Sequence, residues 1–131
     1  MAVNKKDERR IIRKEAMHSY DYAEDIFYAR PIDRAYKESV IYDNFIFDLD
    51  EDNKVAGIEI LDYSKLLGLS KYHISHAQRG KLELVVNQDS IKLTILVEVL
   101  MRNKQRERLV DIERMNEGLI TPSRLECPAT V

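Results

Sequence analysis

The chain has no tryptophan, one cysteine, three prolines and four glycines among its 131 residues. Each shortage excludes something. A lone thiol, Cys127, closes no internal disulfide and supplies no structural zinc site, so a reducing compartment is expected. So little glycine and proline is foreign to a fibrous or disordered chain. Long apolar runs are missing too: the longest, Ile91 to Met101, is broken by Lys92, Thr94 and Glu98, so no membrane span is expected. The start of the chain is polar, with no apolar segment of signal-peptide length behind it, and the expected location is cytoplasmic. Nor does one sign of charge dominate. The 21 Lys and Arg face 23 Asp and Glu for a net −2, a balance that gives no global reason to expect nucleic acid.

What is present is apolar material, 44% of the residues, enough for one core in a single domain over 1–131. Residues 1–16 read as an N-terminal helix or arm, with Asn4 as cap, Asp7 and Glu8 in the first turn, and Arg13 and Lys14 in the last. Residues 17–62 read as a β-meander. Ile26, Phe27 and Tyr28 favour strand as far as Pro31. From Asn44 onward Phe45, Phe47 and Leu49 alternate with Ile46 and Asp48. After the Asp50-Glu51-Asp52-Asn53-Lys54 cluster, Ala56, Ile58 and Ile60 resume, which is hairpin patterning.

Residues 63–80 read as a helical insert, with short helices over 64–67 and 71–79, capping residues Asp62 and Ser64, and Gly68 and Gly80 as stops. Residues 81–116 read as a second antiparallel strand group: Leu82, Leu84 and Val86, a turn at 87–90, then a period-two run over 91–101. Leu93, Leu96, Val97 and Leu100 would also form a helical stripe, but the β-branched load of that run favours strand. A polar turn over 102–106 and a strand over 108–115 follow, and the tail 117–131 is irregular or lies along a sheet edge. The expected fold is α+β: an antiparallel β-meander with a short helical insert, a second strand group and an N-terminal helix.

Two local patterns suggest chemistry. Asp48, Asp50, Asp52 and Glu59 fall at calcium-loop positions one, three, five and twelve, but both flanks alternate as strands where that loop needs helices. A hairpin turn with an acidic tip is the simpler reading. Ser64, Gly68 and Ile74 have helix-turn-helix spacing, and Lys71, Tyr72, Ser75, Gln78, Arg79 and Lys81 would then be candidate nucleic-acid contacts. Against this, strands flank the segment where a third helix should stand. His73 and His76 lie one turn apart without a third metal ligand nearby and read as surface residues. No phosphate-binding glycine loop and no Ser/His/Asp or Cys/His arrangement is visible, so no catalytic residue, metal or cofactor is assigned. Local charge is uneven, with basic excess over 1–14 and 102–114, for which a solvated face is the default reading.

The stretch Tyr20-Asp21-Tyr22-Ala23-Glu24-Asp25-Ile26-Phe27-Tyr28, with Gly57-Ile58-Glu59-Ile60-Leu61 further on, resembles the domain of unknown function 2283 family. That family shows a Tyr-Asp turn, an Asp-Ala-Leu-Tyr strand and a final Gly-Ile-Glu-Ile-Leu strand. Here Ile26-Phe27 replaces Ala-Leu, and Asn53 stands at the usual glycine of the hairpin turn. The resemblance covers residues 18–65. It implies a small β-meander and no established activity, with Tyr20, Asp21, Asp25, Tyr28, Gly57 and Glu59 as motif positions. Some such proteins look like partners of small toxin-like proteins, which implies an antitoxin-like role. The expectation is therefore a non-enzymatic interaction module that self-associates as a dimer or binds a small protein partner. A DNA- or RNA-binding role for 64–81 is the alternative.

Overall fold

The computed structural model describes residues 16–31 and 37–129. Nine strands and two one-turn helices follow one another: β1 (Ala16–Asp21), β2 (Ile26–Pro31), β3 (Glu38–Tyr42), β4 (Phe45–Leu49), β5 (Val55–Leu61), α1 (Tyr63–Leu67), α2 (Lys71–Ser75), β6 (Arg79–Val86), β7 (Ser90–Met101), β8 (Lys104–Met115) and β9 (Ser123–Cys127). They build a five-stranded sheet, order β1-β2-β5-β4-β3, and a four-stranded sheet, order β8-β7-β6-β9. Every strand pair is antiparallel. The fold is thus β-rich, with little helix. No helix among the described residues is long and apolar enough to cross a membrane.

Several expectations need correction. The N-terminal helix lies outside the described residues, except that its last position, Ala16, opens β1. Residues 17–62 form the expected antiparallel meander of short strands, and their order in the sheet adds to it. The chain leaves β2, forms β3 at the far edge, and returns through β4 so that β5 pairs with β2, which is a Greek-key path. The alternation around Asn44 continues a hairpin already begun: β3 and β4 turn over Asp43-Asn44, with Asp43 at φ 54. The helix expected over 71–79 ends at Ser75, because Gln78 donates its backbone N–H to Glu98 and Arg79 enters the ladder with β7. The 91–101 run is strand, as its branched residues required, and the tail contributes β9 along the edge of β6.

Turn chemistry explains how so few glycines suffice. Asp25, Asp43, Asn53 and Asp62 hold left-handed conformations, φ 54 to 61, which short polar side chains tolerate. The acidic hairpin tip is held by Asp50, whose carboxylate accepts from the backbone N–H of Asp52 (2.9 Å) and Lys54 (3.0 Å). Arg102 and Asn103 both have positive φ, 53 and 62, the backbone of a type I′ turn that matches strand twist.

The inner faces of the two sheets share one apolar cluster. Phe27, Phe45, Phe47, Leu49, Ile58 and Ile60 come from the first sheet; Leu82, Leu84, Ile91, Leu93, Ile95 and Val97 from the second. The helices add Tyr63, Leu67 and Ile74. Tyr63 is fully buried, stacks on Phe27 (4.9 Å between centroids) and donates its hydroxyl to the Ala129 carbonyl at 2.9 Å, fastening the C-terminal segment.

Across the outer face of the five-stranded sheet, Arg30, Gly57, Asp48 and Ser39 form a row. Asp48 is only 3% exposed and accepts from Ser39 Oγ (2.8 Å) and Arg30 (3.3 Å). Arg30 reaches it by crossing β5 where Gly57 has no side chain. A Cβ there would stand 2.9 Å from Arg30 Cβ, 3.0 Å from the Ala29 carbonyl and 3.2 Å from Asp48 Oδ2. The motif glycine is therefore steric. Gly57→Ala is expected to cost about 1–3 kcal/mol, as overpacking does, seen as a lower urea midpoint at unchanged slope. Wild-type stability in that variant would show that the crossing does not need an empty position.

Candidate functional site

Of the six motif positions, the structure gathers Tyr20, Asp21, Asp25 and Tyr28 around the β1–β2 turn. Asp25 is 6% exposed, and a carboxylate so placed must be hydrogen-bonded. It accepts from the Tyr20 hydroxyl at 2.5 Å, from Ser64 Oγ at 2.6 Å and from the Ser64 backbone N–H at 2.9 Å. Its own carbonyl accepts from Tyr63 N–H at 3.1 Å. Asp62, the residue expected to cap α1, is left-handed and makes no side-chain cap. The cap comes instead from Asp25, across the sheet from another hairpin. Burial, the strongest single influence, pushes the Asp25 carboxyl upward. The bonds from Ser64 and Tyr20 and the charge of Lys71 outweigh it and hold the group below its ordinary value of 3.8. The same burial and the adjoining carboxylate push the Tyr20 phenol up. Asp21 closes the turn by accepting from Glu24 N–H at 2.9 Å, and Tyr28 reaches its other oxygen at 3.4 Å. These groups satisfy one another, and the cluster locks the turn to α1.

Glu59, the remaining motif position, lies elsewhere. It faces outward from β5 between Tyr28 on β2 and Ile46 on β4, and Ile46 is opposite Ile41 on β3. Leu61 and Ile26, paired across the same two inner strands, complete that side. The outer face of the five-stranded sheet therefore carries Ile26, Tyr28, Ile41, Ile46 and Leu61 around one carboxylate, with Ile41 72% exposed. Glu59 makes no ion pair among the described residues. The outer face of the four-stranded sheet carries charged groups: Arg79 pairs with Glu98 (3.2 Å), Arg124 with Glu83 (2.9 Å) and Glu126 (3.5 Å), and Thr94 donates to Asp111 (3.3 Å). That face is mixed rather than purely charged, because Leu96, Leu100 (47% exposed) and Leu109 (66% exposed) share it. Which residues of a strand face outward depends on which face the second sheet covers, so neither outer face can be read from the sequence alone.

The helix-turn-helix reading does not survive the geometry. Ile74 does plug the core, and Gly68 ends α1 at φ 67, but each helix has five residues and no third helix flanks them among the described residues. Lys71, Tyr72 and Ser75 lie on α2, Gln78 in the following turn, and Arg79 and Lys81 on β6. Lys71 is turned away, 3.4 Å from the Ala23 carbonyl and over the Tyr22 ring. Tyr72, 58% exposed, stacks on His76 with centroids 4.2 Å apart. His73 Nδ1 meets Ser70 Oγ at 2.8 Å and His76 Nδ1 meets the Tyr72 carbonyl at 2.9 Å, so neither presents that nitrogen to a metal.

The calcium-loop acids separate as well. Asp48 is bonded to Arg30 and Ser39, while Asp50 holds the turn. Among the described residues, no three His, Cys, Asp or Glu side chains gather as metal ligands. Cys127 is buried on β9, and burial pushes its thiol up to about 12, which leaves it inert.

Residues 18–64 match the family described as "Protein of unknown function (DUF2283)". That span begins in β1 and ends on Ser64, the partner of Asp25, so it is the five-stranded sheet with its lock to α1. Two curated relatives match more of the chain. A Methanosarcina mazei protein, named "Putative hypoxanthine phosphoribosyltransferase", is 28% identical over 108 residues, 80% of this chain and 88% of its own. An uncharacterized protein of Methanocaldococcus jannaschii is 34% identical over 88 residues, 66% of this chain and 75% of its own. No solved structure matches the chain.

The Asp25 lock is testable by Asp25→Asn, which keeps the left-handed backbone but loses the charge. The amide keeps one oxygen for Tyr20 and the Ser64 N–H but sets an NH2 donor against the Ser64 hydroxyl and removes the charge, which is expected to cost about 1–3 kcal/mol. The carboxyl titrates lower in the folded chain than its ordinary 3.8, so its contribution is complete above that value and is lost as pH falls through the folded value. Denaturation curves should therefore separate wild type from variant at neutral pH and converge in acid. Equal stability at neutral pH would show that the lock contributes nothing.

Proposed function

For a chain that belongs to one family with the uncharacterized Methanocaldococcus jannaschii protein and carries the DUF2283 segment over 18–64, we propose a non-enzymatic interaction module whose contact face is the outer side of its five-stranded sheet. The observation that carries this reading is the run of apolar side chains across adjacent strands of that face. Register sets Ile26 beside Leu61 and Ile46 beside Ile41, with Tyr28 and Glu59 between them and Ile41 72% exposed. Contiguous aliphatic surface on a sheet is a contact surface more often than a solvated one. The occupant is a second copy of the chain. Two-fold contacts between identical patches are the commonest assembly, and an aliphatic patch is complementary to its own copy. The antitoxin-like role implied by the family resemblance would place a small protein on the same face.

The name carried by the Methanosarcina mazei relative belongs to that protein. Phosphoribosyl transfer, with pyrophosphate as leaving group, is served by backbone N–H groups converging on phosphate, as at a glycine-rich turn opening a helix. Neither one-turn helix here is preceded by such a turn: Asp62 and Ser70 stand at the two N-caps.

Light scattering on a sizing column tests the reading. Wild type should elute with the mass of two chains, and Ile41→Asp, at a position exposed enough to leave the fold intact, should elute as one. A monomeric wild type at its highest soluble concentration overturns self-association. If that monomer instead captures a small protein from its native lysate and Ile41→Asp loses it, the face stands with a different occupant. Release of pyrophosphate from phosphoribosyl diphosphate and hypoxanthine by the purified chain would replace this reading with that of the relative.

A further inference from the structure

The second surface lies at the far end of the other sheet. We infer that the tip of the β7–β8 hairpin, together with the Tyr72–His76 ring pair of α2, binds single-stranded nucleic acid. This goes beyond the interaction face proposed above and does not depend on it.

The distribution of unpaired cations is the first observation. Arg30, Arg79, Arg114 and Arg124 all hold carboxylates within the chain. The side chains of Arg102, Lys104 and Arg106 make no ion pair or hydrogen bond among the described residues, and that of Arg108 bonds to the backbone carbonyl of Glu107. Four cations against one acid, Glu107, thus lie within seven residues at one end of a chain whose net charge is −2. A surface built for solubility alone would intersperse the signs, as the outer face of the same sheet does.

Backbone conformation is the second. Arg102 is the one positive-φ residue among the described residues that is neither Asp, Asn nor Gly. Its place in the type I′ turn is normally taken by Asn, Asp or Gly, so a cation is kept there against the local preference.

The third observation is an exposed aromatic pair on the segment that runs into β6 at the hairpin's end of the sheet. α2 packs against β7 through Ile74, on the face from which Arg106 and Arg108 project opposite Val99 and Val97. The chain after α2 is tied to the hairpin: Gln78 N–H donates to the Glu98 carbonyl at 2.9 Å, and Gln105 Nε2 donates to Gln78 Oε1 at 3.2 Å. Tyr72 and His76, already stacked on each other, present a ring surface at that end. Aromatic faces with a track of cations are how single strands are held without base-pair geometry, since any unpaired base has a face to stack. A two-stranded ribbon can also enter the major groove of a duplex, but there it would use the cations and leave the Tyr72–His76 rings without a base to stack on. An acidic peptide would use the cations and leave Tyr72 idle.

Fluorescence anisotropy with single-stranded RNA and DNA oligonucleotides, duplexes of equal length and polyglutamate separates these cases. Single strands should bind more tightly than duplex or polyglutamate. About four phosphate contacts give a log–log salt slope near −3, or roughly fifty-fold weaker binding on a fourfold rise in salt. Tyr72→Ala should weaken single-strand binding about tenfold without changing that slope. Arg106→Glu should weaken it and flatten the slope, whereas Lys92→Glu, the same charge change on the opposite face, should not. Circular dichroism identifies any variant that is misfolded. The proposal is overturned by absent binding at low salt, by equal effects of Arg106→Glu and Lys92→Glu in folded protein, or by polyglutamate binding as well as RNA with Tyr72→Ala silent.

Discussion

A buried carboxylate on a left-handed turn residue is the constraint on which the junction of this fold depends. Asp25 cannot be left unsolvated, and its acceptor oxygens are met by Tyr20 from β1 and by both donors of Ser64 from α1. Those bonds fix where α1 begins, and α1 begins with Tyr63, the aromatic that stacks on Phe27 and holds the carbonyl of Ala129. A turn in the first sheet is thereby coupled, through one residue pair, to the C-terminal segment that follows the last strand of the second. The family segment, 18–64, contains both the carboxylate and its Ser64 partner.

The five-stranded sheet shows a second use of the same principle. Asp48 is nearly as buried as Asp25 but lies on the outer face, where its partners come from two neighbouring strands, Ser39 and Arg30. The arginine reaches over β5 only because Gly57 leaves room, so a polar row crosses the sheet beside the aliphatic one formed by Ile41, Ile46 and Tyr28. The two rows divide that face into one half whose charges are matched within the chain and another of half-buried aliphatic groups, with Ile41 the most exposed of them.

Much of this was legible in the residues. Period-two alternation located β4, β5, β6 and β7, and the Asp50–Lys54 cluster was read as a turn, with Asn53 left-handed at φ 61. What alternation could not convey was strand order, since β5 returns to β2 through contacts far apart in sequence. The Asp43-Asn44 turn is hidden because Val40, Ile41 and Tyr42 are consecutive apolar residues, so no alternation marks out β3 before it. The helix over 71–79 was overextended because its residues favour helix locally, while the ladder with β7 claims Arg79 first. The motif residues were identified without their purpose. That Asp25 caps a helix 38 positions away, and that Gly57 makes space for an arginine, are facts of register.

The two surfaces belong to different sheets, and this separation has a consequence. Self-association through the outer face of the five-stranded sheet leaves both β7–β8 hairpins uncovered, because that hairpin is built entirely within the four-stranded sheet. A two-fold dimer would then carry two basic tips at a fixed spacing. Each tip alone offers few phosphate contacts and correspondingly modest affinity, but a strand long enough to reach both would bind the second at high effective concentration. Dimerisation and strand binding would therefore reinforce each other without a conformational change, and the aliphatic face would set the length of strand that binds best.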